Sequence, residues 1–167
     1  MAEKENVVKE KIKYVGLGDL DETYKFARDW FWKEEYNLVE DSYSEKIKSA
    51  GKEIEIEWTA AKKLTDYFKA TLKIKWRILA MTDVEVEKDG KKKKMNKFGE
   101  FGMEVKGIIE KDYSSKWEGS ATQKFFKEIY NKYVIPHRTE EKEGIIMQDV
   151  QDFKEEIKSF LELTGRR

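Results

Sequence analysis

Residues 68–90, FKATLKIKWRILAMTDVEVEKDG, decide how this chain folds. Phe68, Ala70, Leu72, Ile74, Trp76, Ile78, Ala80, Val84 and Val86 occupy alternate positions, and Lys69, Thr71, Lys73, Lys75, Arg77, Asp83 and Glu85 lie between them. A period of two over this length describes a strand with one buried face and one wet face. Leu79 and Met81 alone interrupt the wet side. Asp89-Gly90 then provides a type I′ hairpin turn, which needs positive φ at both central positions.

A two-residue loop there sets Lys88 against Lys91 and fixes every later pair. Ile78 then faces Phe101, Trp76 faces Met103, Ile74 faces Val105 and Ala70 faces Ile109. On the opposite face Lys75 meets Glu104 and Lys69 meets Glu110, and Met81 falls opposite Phe98. A one-residue slip would invert every side chain, so the agreement of both faces fixes the register. About 20 residues at ~3.3 Å each give a hairpin of ~65 Å. A compact domain of this size is about 40 Å across, so the hairpin must bend or project. Gly99, Gly102 and Gly107 are the positions where curvature is easiest.

Upstream, Ile54, Ile56, Trp58 and Ala60 alternate with Glu53, Glu55, Glu57 and Thr59 as a further strand. Tyr36 to Lys48 is open to strand or helix; read as a strand that turns at Ala50-Gly51, the preferred reading, it pairs Ile47 with Ile54 and Tyr43 with Trp58. Val7, Val8, Ile12, Tyr14 and Val15 suggest an N-terminal strand with weaker alternation. Asp19 or Asp21 can cap a helix whose apolar face is Leu20, Tyr24, Ala27 and Phe31. Trp30 lies at the edge of that face, and Trp32, well off it, is expected to pack on the following strand or a neighbouring helix, the alternative being a partner or membrane-surface contact. Ser120 and Gln123 resemble a capping box, and Phe125, Phe126, Ile129, Tyr130, Tyr133 and Val134 mark an amphipathic helix kinked or ended at Pro136. A last helical stretch carries Ile146, Val150, Phe153 and Ile157, which makes residues 120–163 a helical region.

The expected fold is therefore α+β: a curved antiparallel sheet of about five strands, in the order β-α-β-β-β-β-α, packed against a long C-terminal helix kinked near Pro136. Residues 1–167 read as one domain, long enough to bury a core without staples. There is no Cys, which excludes disulfides and thiolate zinc sites. The charged N-terminus and the lack of any ~20-residue apolar run lead to the expectation of a soluble, cytoplasmic protein. The 34 basic and 34 acidic residues are mostly Lys and Glu with few amides, a bias of proteins from hot environments. An aromatic fraction of 13% separates the chain from charge-rich disordered sequences.

In element order and aromatic inner face the chain resembles the helix-grip layout of the START and Bet v 1 superfamily. That resemblance implies a curved sheet wrapped round a long C-terminal helix, with a cavity between them. The chain departs from the layout in having fewer strands, one fewer short helix and the Pro136 kink.

No catalytic set, cofactor motif or metal-ligand spacing is legible. His137, the sole histidine, follows Pro136 without an orienting partner. Glu53, Glu55 and Glu57 share one strand face, a spacing open to a divalent cation, although a solvated face is the ordinary reading. Gly16-Leu17-Gly18 lacks the remainder of a phosphate loop. Two binding readings remain. Trp58, Trp76, Phe101, Met103 and Tyr130 converge as either a packed core or the wall of a cavity for an apolar, lipid-like ligand. This makes a non-enzymatic binding protein the first expectation. The alternative is a nucleic-acid or acidic-protein module acting through the basic hairpin 62–97, which holds twelve basic and five acidic residues. Lys69, Lys73, Lys75 and Arg77 would line its face and Lys91, Lys92, Lys93 and Lys94 its tip, with Glu100, Glu104 and Glu110 diluting the field.

Overall fold

A computed structural model describes residues 3–111, Phe125 and residues 135–166. The order is β1 (Glu3–Gly18), α1 (Leu20–Lys33), β2 (Asn37–Lys48), β3 (Gly51–Lys63), β4 (Phe68–Lys88), β5 (Lys91–Lys111) and α2 (Ile135–Arg166). The strands form one antiparallel sheet in the order β1-β5-β4-β3-β2, with both helices packed against it. The chain is thus α+β, as expected. The capping box, Tyr130 and the upstream side of the Pro136 kink lie outside the described residues. Phe125, from the same stretch, is helical and 58% exposed.

The hairpin takes the register read from the turn. Lys88 pairs with Lys91, Trp76 with Met103 and Lys69 with Glu110, while Asp89 and Gly90 both take positive φ. One correction concerns its faces. Ile78 and Phe101 are buried, and so are Met81 and Phe98, three residues further on and of opposite parity. Ala80 causes the switch, with φ 52, and its pairing with Gly99 drops out of the ladder although the register resumes unchanged at Thr82–Lys97. Beyond this kink Asp83 and Asn96 face α1, because Asn96 Nδ2 donates to Asp83 and Asn96 Oδ1 accepts from the Leu20 amide. Val84 and Val86 therefore lie on the face opposite Ile78, not on the same one as expected. The matched break at Met81 and Phe98 is a bend that turns both side chains into the core.

Two bulges account for the weak alternation of β1. Its register against β5 shifts between Asn6 and Val8, where Val7 is an extra residue of β1, and again between Tyr14 and Gly16, where β5 carries the extra residue because Gly99 and Glu100 together oppose Val15. Val15 is 71% exposed.

β2 is a strand, but its expected register is corrected by two residues. It turns at Ser49-Ala50, so Tyr43 opposes Ile56 and Glu45 opposes Ile54. A shift of two preserves the faces. Only one residue of β2, Leu38, is even half-buried, so no apolar pattern distinguishes the registers.

α1 begins at Asp19, whose side chain accepts the Glu22 amide at 3.1 Å. Its inward face is Leu20, Thr23, Ala27 and Phe31. Trp32 does not pack as expected. It is 57% exposed with the Arg28 guanidinium 4.8 Å above its ring, because it projects from the side of α1 away from the sheet. α2 lies along β1 and β5 with Ile146, Val150, Phe153, Ile157 and Leu161 fully buried. Its path is close to the sheet at Gly107, where a β-carbon would lie 2.7 Å from Ile146 Cγ2 and 2.9 Å from Val8 Cγ1. No described helix is long and apolar enough to cross a membrane.

Candidate functional site

The inward positions of the three central strands bring four of the five expected cavity residues together. Trp58 on β3, Trp76 on β4, and Phe101 and Met103 on β5 are at most 2% exposed. Trp58 and Trp76 meet edge to face at 5.0 Å, and Trp76 meets Phe101 at 5.8 Å. From α1, Tyr24 lies 5.1 Å from Trp58 and 6.1 Å from Trp76, and Phe31 lies 6.3 Å from Trp58. Phe153 of α2 closes on Phe31 at 4.7 Å. Offset and edge-to-face arrangements of this kind add about 0.5–1.5 kcal/mol per pair beyond area burial. Tyr130, the fifth expected residue, is outside the described part of the chain.

The polar atoms of this aromatic wall differ from one another. Glu40 Oε1 accepts both Trp58 Nε1 at 3.2 Å and the Tyr24 hydroxyl at 2.8 Å. Burial, and next the bond to Glu40, push the Tyr24 phenol up to about 12. Trp76 Nε1, on the central strand, is buried and has no acceptor. A buried donor left unpaired costs about 1–3 kcal/mol, and native interiors seldom tolerate one without a reason. Arg28 Nε and Thr139 Oγ1 are also buried without a hydrogen bond. Neither belongs to the wall: Arg28 stacks on Trp32 with Nε 3.6 Å from Asp29, and Thr139 lies in the first turns described of α2. At the rim the Tyr36 hydroxyl donates to Asp149 at 2.6 Å and ties the start of β2 to α2. Burial, followed by this bond, holds the Tyr36 phenol far above its ordinary value.

The expected basic face is neutralised along much of its length. Lys75 lies 3.9 Å from Glu57, and Arg77 lies 3.7 Å from Glu55 and 3.9 Å from Glu53. Lys73 donates to the Thr59 hydroxyl at 3.0 Å, and Lys69 is paired across the ladder with Glu110. At the tip Lys94 lies 3.4 Å from Asp83, and Lys92 and Lys94 sit opposite Glu87 and Glu85. Lys91 and Lys93 face Lys88 and Val86. The eight cations do not converge on one field. The three glutamates of β3 point at this same set of cations, with Glu53 also paired to Lys48. An open groove of about 320 Å³ runs over this outer face, lined by Lys75, Arg77, Glu100 and Glu104 among others.

Glu40 was not foreseen as part of the wall. Its reach to Trp58 depends on the bulge between Glu40 and Ser42, which places Asp41 as the extra residue bonded to Thr59. A bulge on an exposed strand leaves no signal in the hydrophobic pattern. His137 falls near the described start of α2. Among the described residues no cluster of acidic, histidine or cysteine side chains has the arrangement to hold a metal ion. Compared with known proteins, the chain gives no match to a family model, a curated protein or a solved structure.

Proposed function

We propose that this chain is a non-catalytic binding protein that takes up a small apolar molecule between the sheet and its helices. The observation that supports this reading is Trp76 Nε1, a buried donor without an acceptor on the inner wall of the central strand. Aromatic walls with few polar groups are the usual lining of small-molecule sites. The helix-grip resemblance adds an analogy of layout, with a bent antiparallel sheet and a long helix laid along it. Analogy of that kind bears on fold more than on function.

The reading through the basic hairpin has weaker support, because its lysines are matched by glutamates on neighbouring strands and phosphate binding relies on unneutralised charge. Native mass spectrometry of the purified protein tests the choice. A co-purifying adduct, released on denaturation and soluble in organic solvent, is the expected result. A bare mass that persists after incubation with lipid extract, together with salt-sensitive RNA binding, would transfer the function to the hairpin.

A further inference from the structure

We infer that β2 is a dimerisation edge: a second copy of this chain adds its own β2 in antiparallel sense, about a two-fold axis at Glu45. The edge lies apart from the aromatic wall and does not depend on what that wall takes up. β2 ends the sheet, and from Ser42 to Lys48 its ladder to β3 is unbroken by bulge or proline. A two-residue turn closes on a hydrogen-bonded pair, here Lys48 and Gly51. Counting back from it, Lys46 and Ser44 turn their backbone groups to β3, and Ile47, Glu45 and Tyr43 turn theirs outward. Tyr43 opposes Ile56 and Glu45 opposes Ile54, both buried, so by alternation all three side chains stand on the helix side of the sheet. Ile47 is 85% exposed and Tyr43 51%. Unpaired backbone groups beside exposed apolar side chains template a further strand. The other edge is guarded, because β1 carries exposed Lys4, Lys9, Lys11 and Lys13, bulges at Val7 and has α2 along it. A chain with one open edge, joined to its own kind, closes at two copies.

The residues of the edge select the partner and the register. Two-fold pairing centred on Glu45 places Tyr43 opposite Ile47 of the partner subunit, and Ile47 opposite the partner's Tyr43, so each exposed apolar residue meets another. On the other face Ser44 meets Lys46 and Ser42 meets Lys48. A centre at Ser44 would set Glu45 against Tyr43, one at Lys46 would set Lys46 against its own copy, and one at Tyr43 would set Glu45 against Asp41. At the Glu45 axis the two carboxylates are balanced, since Lys52 of each chain holds its own Glu45 at 3.2 Å. The chain as a whole has a formal net charge of zero, which adds no long-range repulsion between copies. Tyr43 and Ile47 of the two copies would together hide on the order of 500 Å² of side chain. With the backbone pairing added, the interface stays near or below the ~1,200 Å² of standard complexes, the range of weak, reversible dimers.

Sedimentation equilibrium of the full chain from about 1 µM to 1 mM should show a reversible monomer–dimer equilibrium with a Kd of about 10–100 µM. Ile47→Lys, at so exposed a site, should keep the urea midpoint of the wild type and weaken the dimer about tenfold or more. Val15→Lys, on β1, should leave the dimer unchanged. The chain has no Cys, so single thiols report the register. Glu45→Cys puts a thiol opposite its own copy at ~5.5 Å between α-carbons, within disulfide reach, and mild oxidation should cross-link it. Ser44→Cys is offset by two residues from its counterpart and should stay uncross-linked. A dimer indifferent to Ile47→Lys, one lost through Val15→Lys, or cross-linking through Ser44→Cys in preference to Glu45→Cys overturns the inference. A wild type that is monomeric at the highest concentration also overturns it and leaves the edge to a strand of another protein.

Discussion

At Gly99 a β-carbon would lie 2.6 Å from the Ala80 β-carbon and 3.0 Å from the Leu79 carbonyl oxygen. Ala80 itself stands at φ 52, a conformation that costs an L-residue about 1–2 kcal/mol. The two residues form the kink of the hairpin, and the space at one is set by the side chain of the other. Gly99→Ala is expected to destabilise the protein by about 1–3 kcal/mol, read as a lower urea midpoint at unchanged slope. Ala80→Gly removes both the strained φ and the clashing carbon, so the double variant should recover part of that loss. A Gly99→Ala protein as stable as the wild type would show that the strands do not cross this closely. The sequence marked the place, because Met81 and Phe98 broke the polar face together. It could not mark the direction, since a positive φ at alanine is imposed by packing on both sides.

Elements differ in how strongly their sequences fix them. The register of β4 against β5 was legible to the residue because a two-residue turn sets it and two patterned faces check it, whereas the change of faces beyond Ala80 was not. β2 was legible as a strand but not in register, since both its faces meet solvent and a shift of two loses no burial. The path of α2 over the sheet was not legible, because it depends on clearance at one glycine. Gly107 and Gly90 offer a contrast that isolates this effect. A β-carbon at Gly107 collides with Ile146 and Val8, whereas one at Gly90 meets nothing and is opposed only by φ 76. Gly90→Ala should cost about 1 kcal/mol, from backbone alone. Gly107→Ala should cost about 1–3 kcal/mol by displacing α2 from β1 and β5. Equal and small changes in the two unfolding midpoints would mean that α2 can ride outward without loss. The aromatic wall was legible from the same alternation that gave the strands, whereas its polar asymmetry was not. Glu40 reaches Trp58 and Tyr24 only because a bulge turns it inward, and that left Trp76 as the unpaired indole.

Across the whole molecule the balanced charges leave stability to be shaped by the few groups whose titration changes on folding. Tyr24, Tyr36 and Tyr43 all sit above the ordinary value of 10.0, in each case chiefly through burial. Each phenol therefore holds its proton more firmly in the folded chain than in the unfolded one. Their stabilisation is complete below about pH 10 and is lost as pH rises through the folded values, which for Tyr24 is about 12. Lys52, raised by its bond to Glu45, acts in the same direction. Glu53, lowered chiefly by its bond to Lys48, acts in the opposite one, so its contribution is present above the ordinary carboxylate range and fades as pH falls through its folded value. The urea midpoint should be nearly flat from about pH 6 to 9.5 and fall steeply above pH 10. Phenolate absorbance of the native protein should show Tyr24, Tyr36 and Tyr43 titrating late. Tyr36→Phe should flatten the alkaline limb more than Tyr24→Phe, because Tyr36 is the more deeply buried and its proton is held by Asp149 across to α2. Eight tyrosines titrating together near pH 10 while the fold persists would contradict the Tyr36–Asp149 and Tyr24–Glu40 bonds. With the second of these gone, Trp76 would no longer be singled out among the donors of the wall.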